Sequence, residues 1–161
     1  MVVDLNFHKV IRFFLSIIFF TFLWSNGFSA NLNFEKIAKL KDPWGSSFIS
    51  EDEIIVTEKS GKIKIINIAT KEILEVKHNL NFLEYGQGGL LDIIYHNNTV
   101  WISYTENRVN WKTSTSIAKA KLNKQELNFE NIFQANPPID SGYHFGSRLA
   151  IKDNYLFASA G

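Results

Sequence analysis

Leu90-Leu91-Asp92-Ile93-Ile94-Tyr95-His96-Asn97-Asn98-Thr99-Val100-Trp101-Ile102-Ser103-Tyr104-Thr105 reads as an apolar strand, a two-asparagine turn and a second apolar strand. Short runs rich in Ile, Val, Tyr and Thr that are bounded by Asn, Gly or Asp are the signature of antiparallel hairpins. The same unit occurs upstream over Ser46 to Thr57 and downstream over Leu149 to Ala158. Around it, strands are expected near 45–49, 53–58, 62–67 and 72–76, with turns at Glu51-Asp52 and Ser60-Gly61. A second set covers Leu90 to His96, Val100 to Thr105, Thr115 to Leu122 and Leu127 to Phe133. A third begins at Arg148 to Ile151, turns at Lys152-Asp153-Asn154, and continues from Tyr155 to Ser159.

A four-stranded unit that repeats with a period in the forties or somewhat longer predicts an all-β protein, a β-propeller of antiparallel blades. No stretch offers convincing helical periodicity beyond the leader; Ile117 to Gln125 could pass for a short helix, but the strand pattern resumes at Leu127. Asn136-Pro137-Pro138-Ile139 cannot sit inside a sheet and reads as a long connection. The third unit stops after two strands, so about two and a half blades are expected in what reads as the front part of a longer protein. Such a piece leaves blade faces and a sheet edge uncovered, and alone it is expected to be inactive and poorly folded.

Residues 1–30 read as a secretory signal peptide: Lys9 and Arg12 precede an apolar run from Phe13 to Trp24, broken only by Ser16 and Thr21. Twelve residues are fewer than the roughly twenty a membrane span needs, so cleavage is favoured over permanent anchoring. Ala30 suits the position before the cut, with Gly27 and Ser29 as other sites. Removing Asp4, Lys9 and Arg12 with the leader leaves 15 basic and 15 acidic residues in the rest, 31–161. That balance gives no footprint for nucleic acid or an anionic membrane surface, and points to a small uncharged ligand. With no cysteine, an exported chain relies on its core rather than on disulfides.

Two glycine-rich stretches stand at turn-to-strand junctions: Gly86-Gln87-Gly88-Gly89-Leu90-Leu91-Asp92, and Gly142-Tyr143-His144-Phe145-Gly146-Ser147-Arg148-Leu149. They are expected to meet over one end of the propeller. Neutral imidazole can accept a proton at neutral pH, which makes His144 a candidate base; the plainer alternative is a histidine that only hydrogen-bonds its loop. The Gln87 amide, between glycines that allow close backbone approach, can donate to and accept from hydroxyls. The stretch is not a dinucleotide fingerprint, since Leu91 replaces the last glycine and no helix follows. Arg148 and Asp92 read as structural, the first pairing with a carboxylate or carbonyl, the second bonding backbone N–H groups. His78 and His96 are expected at the surface, Trp44 and Trp101 between blades, and Trp111 in an exposed loop.

In this order, Pro43-Trp44, Val56-Thr57-Glu58-Lys59-Ser60-Gly61-Lys62-Ile63, Gly86 to Asp92 and His144 to Leu149 resemble the soluble aldose sugar dehydrogenases of the glucose/sorbosone dehydrogenase type, over about Leu40 to Gly161. The resemblance implies a six-bladed propeller, exported to the periplasm, that oxidises an aldose at its anomeric carbon to the lactone. Hydride would pass to pyrroloquinoline quinone, with calcium as a second cofactor and an external electron acceptor thereafter. It also implies His144 as the catalytic base, and Gln87 and Tyr143 beside the sugar. Tyr143 stands where relatives often carry Asp or His, a departure that bears on substrate preference. The quinone-binding residues and calcium ligands are expected beyond Gly161. A propeller lactonase, or a propeller that only binds a partner or sugar, are the competing readings; the first would need a cluster of carboxylates and asparagines around a metal, absent from these motifs.

Overall fold

The computed structural model describes residues 32–161; the expected signal peptide, 1–30, lies outside them. Among the described residues, all of the regular structure is β apart from one 3-10 turn at Val109–Trp111. Strands β1 (Pro43–Phe48), β2 (Glu53–Glu58), β3 (Lys62–Asn67) and β4 (Ile73–His78) form an antiparallel meander, the first blade. The second blade is β5 (Leu90–His96), β6 (Thr99–Asn107), β7 (Thr113–Lys121) and β9 (Glu130–Gln134). A hairpin of β10 (Leu149–Lys152) and β11 (Tyr155–Ala158) opens the third. The expected strands and turns are therefore present, and Ile117 to Lys121 is strand rather than helix.

One element was read as a single strand and is two. The expected run Leu127 to Phe133 divides into β8 (Glu126–Leu127), which pairs in parallel with the outer strand β4 of the first blade, and β9, which completes the second. Burial explains the split: Leu127 and Phe129 are buried in the core between the blades, whereas every residue of β9 is exposed. Asn79 holds the crossing in place, accepting the Phe129 N–H at 2.7 Å and donating to the Phe129 carbonyl at 3.1 Å. Lys124 adds two 2.7 Å contacts to Glu53.

Period-two alternation aims alternate residues of each strand at opposite blade faces. Ile55, Ile63, Ile65 and Val76 of the first blade meet Leu90, Ile93, Val100, Ile102, Ala118 and Ala120 of the second in one apolar cluster. Thr57 lies in this seam and donates to the Leu91 carbonyl at 2.6 Å. Tyr104 and Glu106 close its outer end. The Glu106 carboxylate accepts from Ser116 at 2.6 Å and Gln134 at 2.8 Å, and Tyr104 donates to Asn131 at 2.7 Å. Burial pushes the Tyr104 phenol up to about 12.

Two aromatic positions differ from expectation. Trp44 is 47% exposed rather than packed between blades; Gly45 and Ser47 on either side of Ser46 face the second blade, and alternation puts Trp44 on the other side. It lines a cavity of about 230 Å³ with Pro43, Asp92, Gly146, Ser147 and Arg148. His78 is half-buried instead of superficial: its Nε2 lies 2.7 Å from the Gly61 carbonyl and its ring meets Phe82 edge-on. Trp101, expected between blades, is half-buried; His96 and Trp111 are exposed, as the sequence suggested.

Candidate functional site

The connectors into the second and third blades both run along the sheet of the second blade. The segment before β5 follows β6, with Leu83 donating to the Thr105 carbonyl at 2.9 Å and Asn107 to the Asn81 carbonyl at 3.0 Å. The segment before β10 follows β7, where Thr113 and Ile139 exchange backbone bonds of 2.8 and 2.9 Å. Both connectors thus reach the same end of the blades, with the β2–β3 turn beside them: the Lys59 ammonium donates to the Gly86 carbonyl at 2.7 Å.

Gln87 and His144 are 57 residues apart in sequence and touch in space. The Gln87 N–H donates to the Gly142 carbonyl at 2.7 Å, and the His144 N–H donates to the Gln87 side-chain oxygen at 3.2 Å. Gly86, at φ +59°, packs directly on the Gly142 carbonyl, so any side chain at 86 would drive the loops apart. The Gln87 Oε1 is thereby engaged, and the amide NH2 is the end that can serve a ligand. The side chains of Gln87, Tyr143 and His144 are all exposed, with the Tyr143 and His144 ring centroids 6.4 Å apart. Beneath them Phe145 is buried against Gly88.

Asp92 and Arg148 hold the base of this loop. The buried Asp92 carboxylate accepts the Leu149 N–H at 2.8 Å and contacts the Arg148 guanidinium at 3.3 Å, although Arg148 itself remains 77% exposed. Three residues that sequence reading passed over act on the same loop. Thr115 donates to the Phe145 carbonyl at 2.7 Å, Ser103 to the Ser147 carbonyl at 2.6 Å, and Thr113 to the Ser141 carbonyl at 2.8 Å. The sequence does not set them apart: Thr113-Ser114-Thr115-Ser116 carries hydroxyls on both faces of its strand, and only the fold decides which of them meet the loop.

Residues 40–161 match the glucose/sorbosone dehydrogenase family. The chain belongs to that family. It is 26% identical over 143 residues to an aldose sugar dehydrogenase of Escherichia coli strain K12, an alignment that takes in 82% of this chain and 38% of that protein. A solved structure of a glucose dehydrogenase superposes with a TM-score of 0.71 at 27% identity, covering 76% of this chain and 38% of the other. The PQQ-bound form of an aldose sugar dehydrogenase from Streptomyces coelicolor shares the fold, with a TM-score of 0.68 at 20% identity over 79% of this chain and 40% of that one. The all-β propeller reading is thus borne out, and the chain spans about two fifths of the length of the relatives it matches.

This loop end exposes an imidazole, an amide NH2 and a phenol side by side. Among the described residues no group of three His, Cys, Asp or Glu is placed to hold a metal ion. Also among them, no helix is long and apolar enough to cross a membrane.

Proposed function

We propose that this chain supplies the base and part of the sugar pocket of an exported aldose dehydrogenase that uses pyrroloquinoline quinone and calcium. The observation that carries the reading is the contact of the Gln87 and His144 loops, which presents an imidazole and an amide together on one exposed face. Family membership supports sugar oxidation, and the quinone reading draws on the PQQ-bound Streptomyces coelicolor protein. A C–H bond releases hydride far more readily when the attached hydroxyl is losing its proton. His144, as general base, takes the proton from the anomeric hydroxyl. The Gln87 NH2 donates to a neighbouring sugar hydroxyl, and the exposed Tyr143 ring flanks the sugar and bears on which aldose is accepted. When bound, the quinone supplies the two-electron acceptor for the hydride leaving the anomeric carbon, so that the lactone is the product. Calcium and quinone ligands belong to the part of the protein beyond Gly161, and an external acceptor reoxidises the cofactor.

The test uses the full-length mature protein and dye-linked oxidation of a panel of aldoses, with and without added pyrroloquinoline quinone and calcium. Quinone-dependent turnover is expected. His144→Ala is expected to lower kcat by about 10²–10⁴-fold while the protein stays folded. A folded, quinone-loaded protein without turnover overturns the dehydrogenase reading in favour of a binding module, and a fully active variant overturns the role of His144.

A further inference from the structure

The His144 ring has no hydrogen-bond partner among the described residues. Within them, the direction of the ring follows from the backbone that carries it. That backbone is unusual: His144, Gly146 and Ser147 have φ of +63°, +64° and +86°, in the left-handed region that a non-glycine residue seldom occupies. Such conformations persist where the surroundings over-determine them. Here the surroundings are one face of the second blade. Thr113, Thr115, Ser103 and Asp92 are each at most 5% exposed, and they bind Ser141, Phe145, Ser147 and Leu149 in turn. Side chains on a rigid sheet therefore grip the loop on both sides of His144, at nearly every second residue.

We propose that Thr115 is a positioning residue for His144. Its hydroxyl holds the Phe145 carbonyl, one residue past the base, and so fixes the ring toward the anomeric hydroxyl of the sugar; Ser103 does the same from Ser147. This inference rests on the dehydrogenase reading for its kinetic consequence, but not for its structural one. Thr115→Val keeps the branched shape and removes the hydroxyl that satisfies that carbonyl, whereas Thr115→Ser keeps it.

The experiment compares full-length wild type, Thr115→Val and Thr115→Ser by kcat and KM for an aldose. Alongside, the pH titration of the His144 Cε1–H resonance is followed in histidine-labelled protein without sugar or quinone, assigned by its loss in His144→Ala. For Thr115→Val, kcat is expected to fall at least tenfold with KM within twofold, and the His144 resonance to shift or broaden; Thr115→Ser is expected to restore both. A His144 resonance and kcat unchanged in Thr115→Val overturn the proposal, as does an equal loss in Thr115→Ser, which would trace the effect to packing. If Thr115→Val does not fold, Ser103→Ala replaces it with the same readouts. If wild type oxidises no aldose, the dehydrogenase reading falls, and the resonance alone decides whether Thr115 positions His144.

Discussion

The two faces of the second blade meet their neighbours by different physics. Toward the first blade it presents Val100, Ile102, Ala118 and Ala120, and the seam is closed mainly by apolar burial, with Thr57 adding a bond to the Leu91 carbonyl. Toward the third it presents Ser103, Thr113 and Thr115, which reach backbone groups of the His144 connector. Apolar burial is strong but non-directional, so it can join two sheets without fixing any one atom closely. Hydrogen bonds contribute less each, but they set distance and angle. The directional seam is the one that carries the candidate base.

Ile102→Ala attacks the apolar seam where it is fully buried. Truncating a buried isoleucine costs about 2–5 kcal/mol, so the full-length protein should lose that much stability in denaturant titration while the folded fraction keeps its kcat. A variant that stayed stable but turned over slowly would show that the apolar seam also aims the site, and the contrast between the faces would break.

Asp92→Ala attacks the polar seam, where it frees the Leu149 N–H. Leaving a buried donor unsatisfied costs about 1–3 kcal/mol. Here the loss should be local. Amide exchange at Leu149 and Ala150 should quicken in the native state, while exchange at Ile102 follows global stability. Uniform acceleration across both sites would mean that the two seams open as one unit.

Strand identity was legible because β-branched alternation and Asn, Gly or Asp turns act within six or seven residues. Ile54 to Thr57 and Leu90 to Tyr95 announce themselves by that local rule. What escaped was decided across blades. Leu127 and Phe129 follow strand alternation faithfully, yet they cross to cover the first blade, because an uncovered seam lay there to be filled. The Gln87–His144 pairing was inferred from two glycine-rich junctions and is present, but the left-handed backbone of His144 has no local cue. The staples were missed for a related reason. A threonine on a strand looks like a good strand former whether its hydroxyl meets solvent or a loop 30 residues away, as it does for Thr115 and Phe145.

Charge poses the same question on the far face of the first blade, where Glu58 is 1% exposed. Burial opposes its ionisation, but the Lys64 ammonium at 2.7 Å, the Lys41 N–H at 2.8 Å and the nearby Lys62 outweigh it and hold the carboxyl below its ordinary 4.5. A depressed native value contributes stability that is fully present above the unfolded value and is lost as pH falls through the folded one. Glu58→Gln keeps an oxygen for Lys41 but removes the charge. The variant should therefore melt below wild type at neutral pH, with the gap closing as pH drops below about 4.5, where the unfolded carboxyl titrates. The effect should be the smallest of these, since the pair stands apart from both seams. A melting gap that stayed constant from neutral pH into acid would assign the Glu58 contribution to hydrogen-bond geometry rather than charge, and would place it with the neutral staples of the second blade.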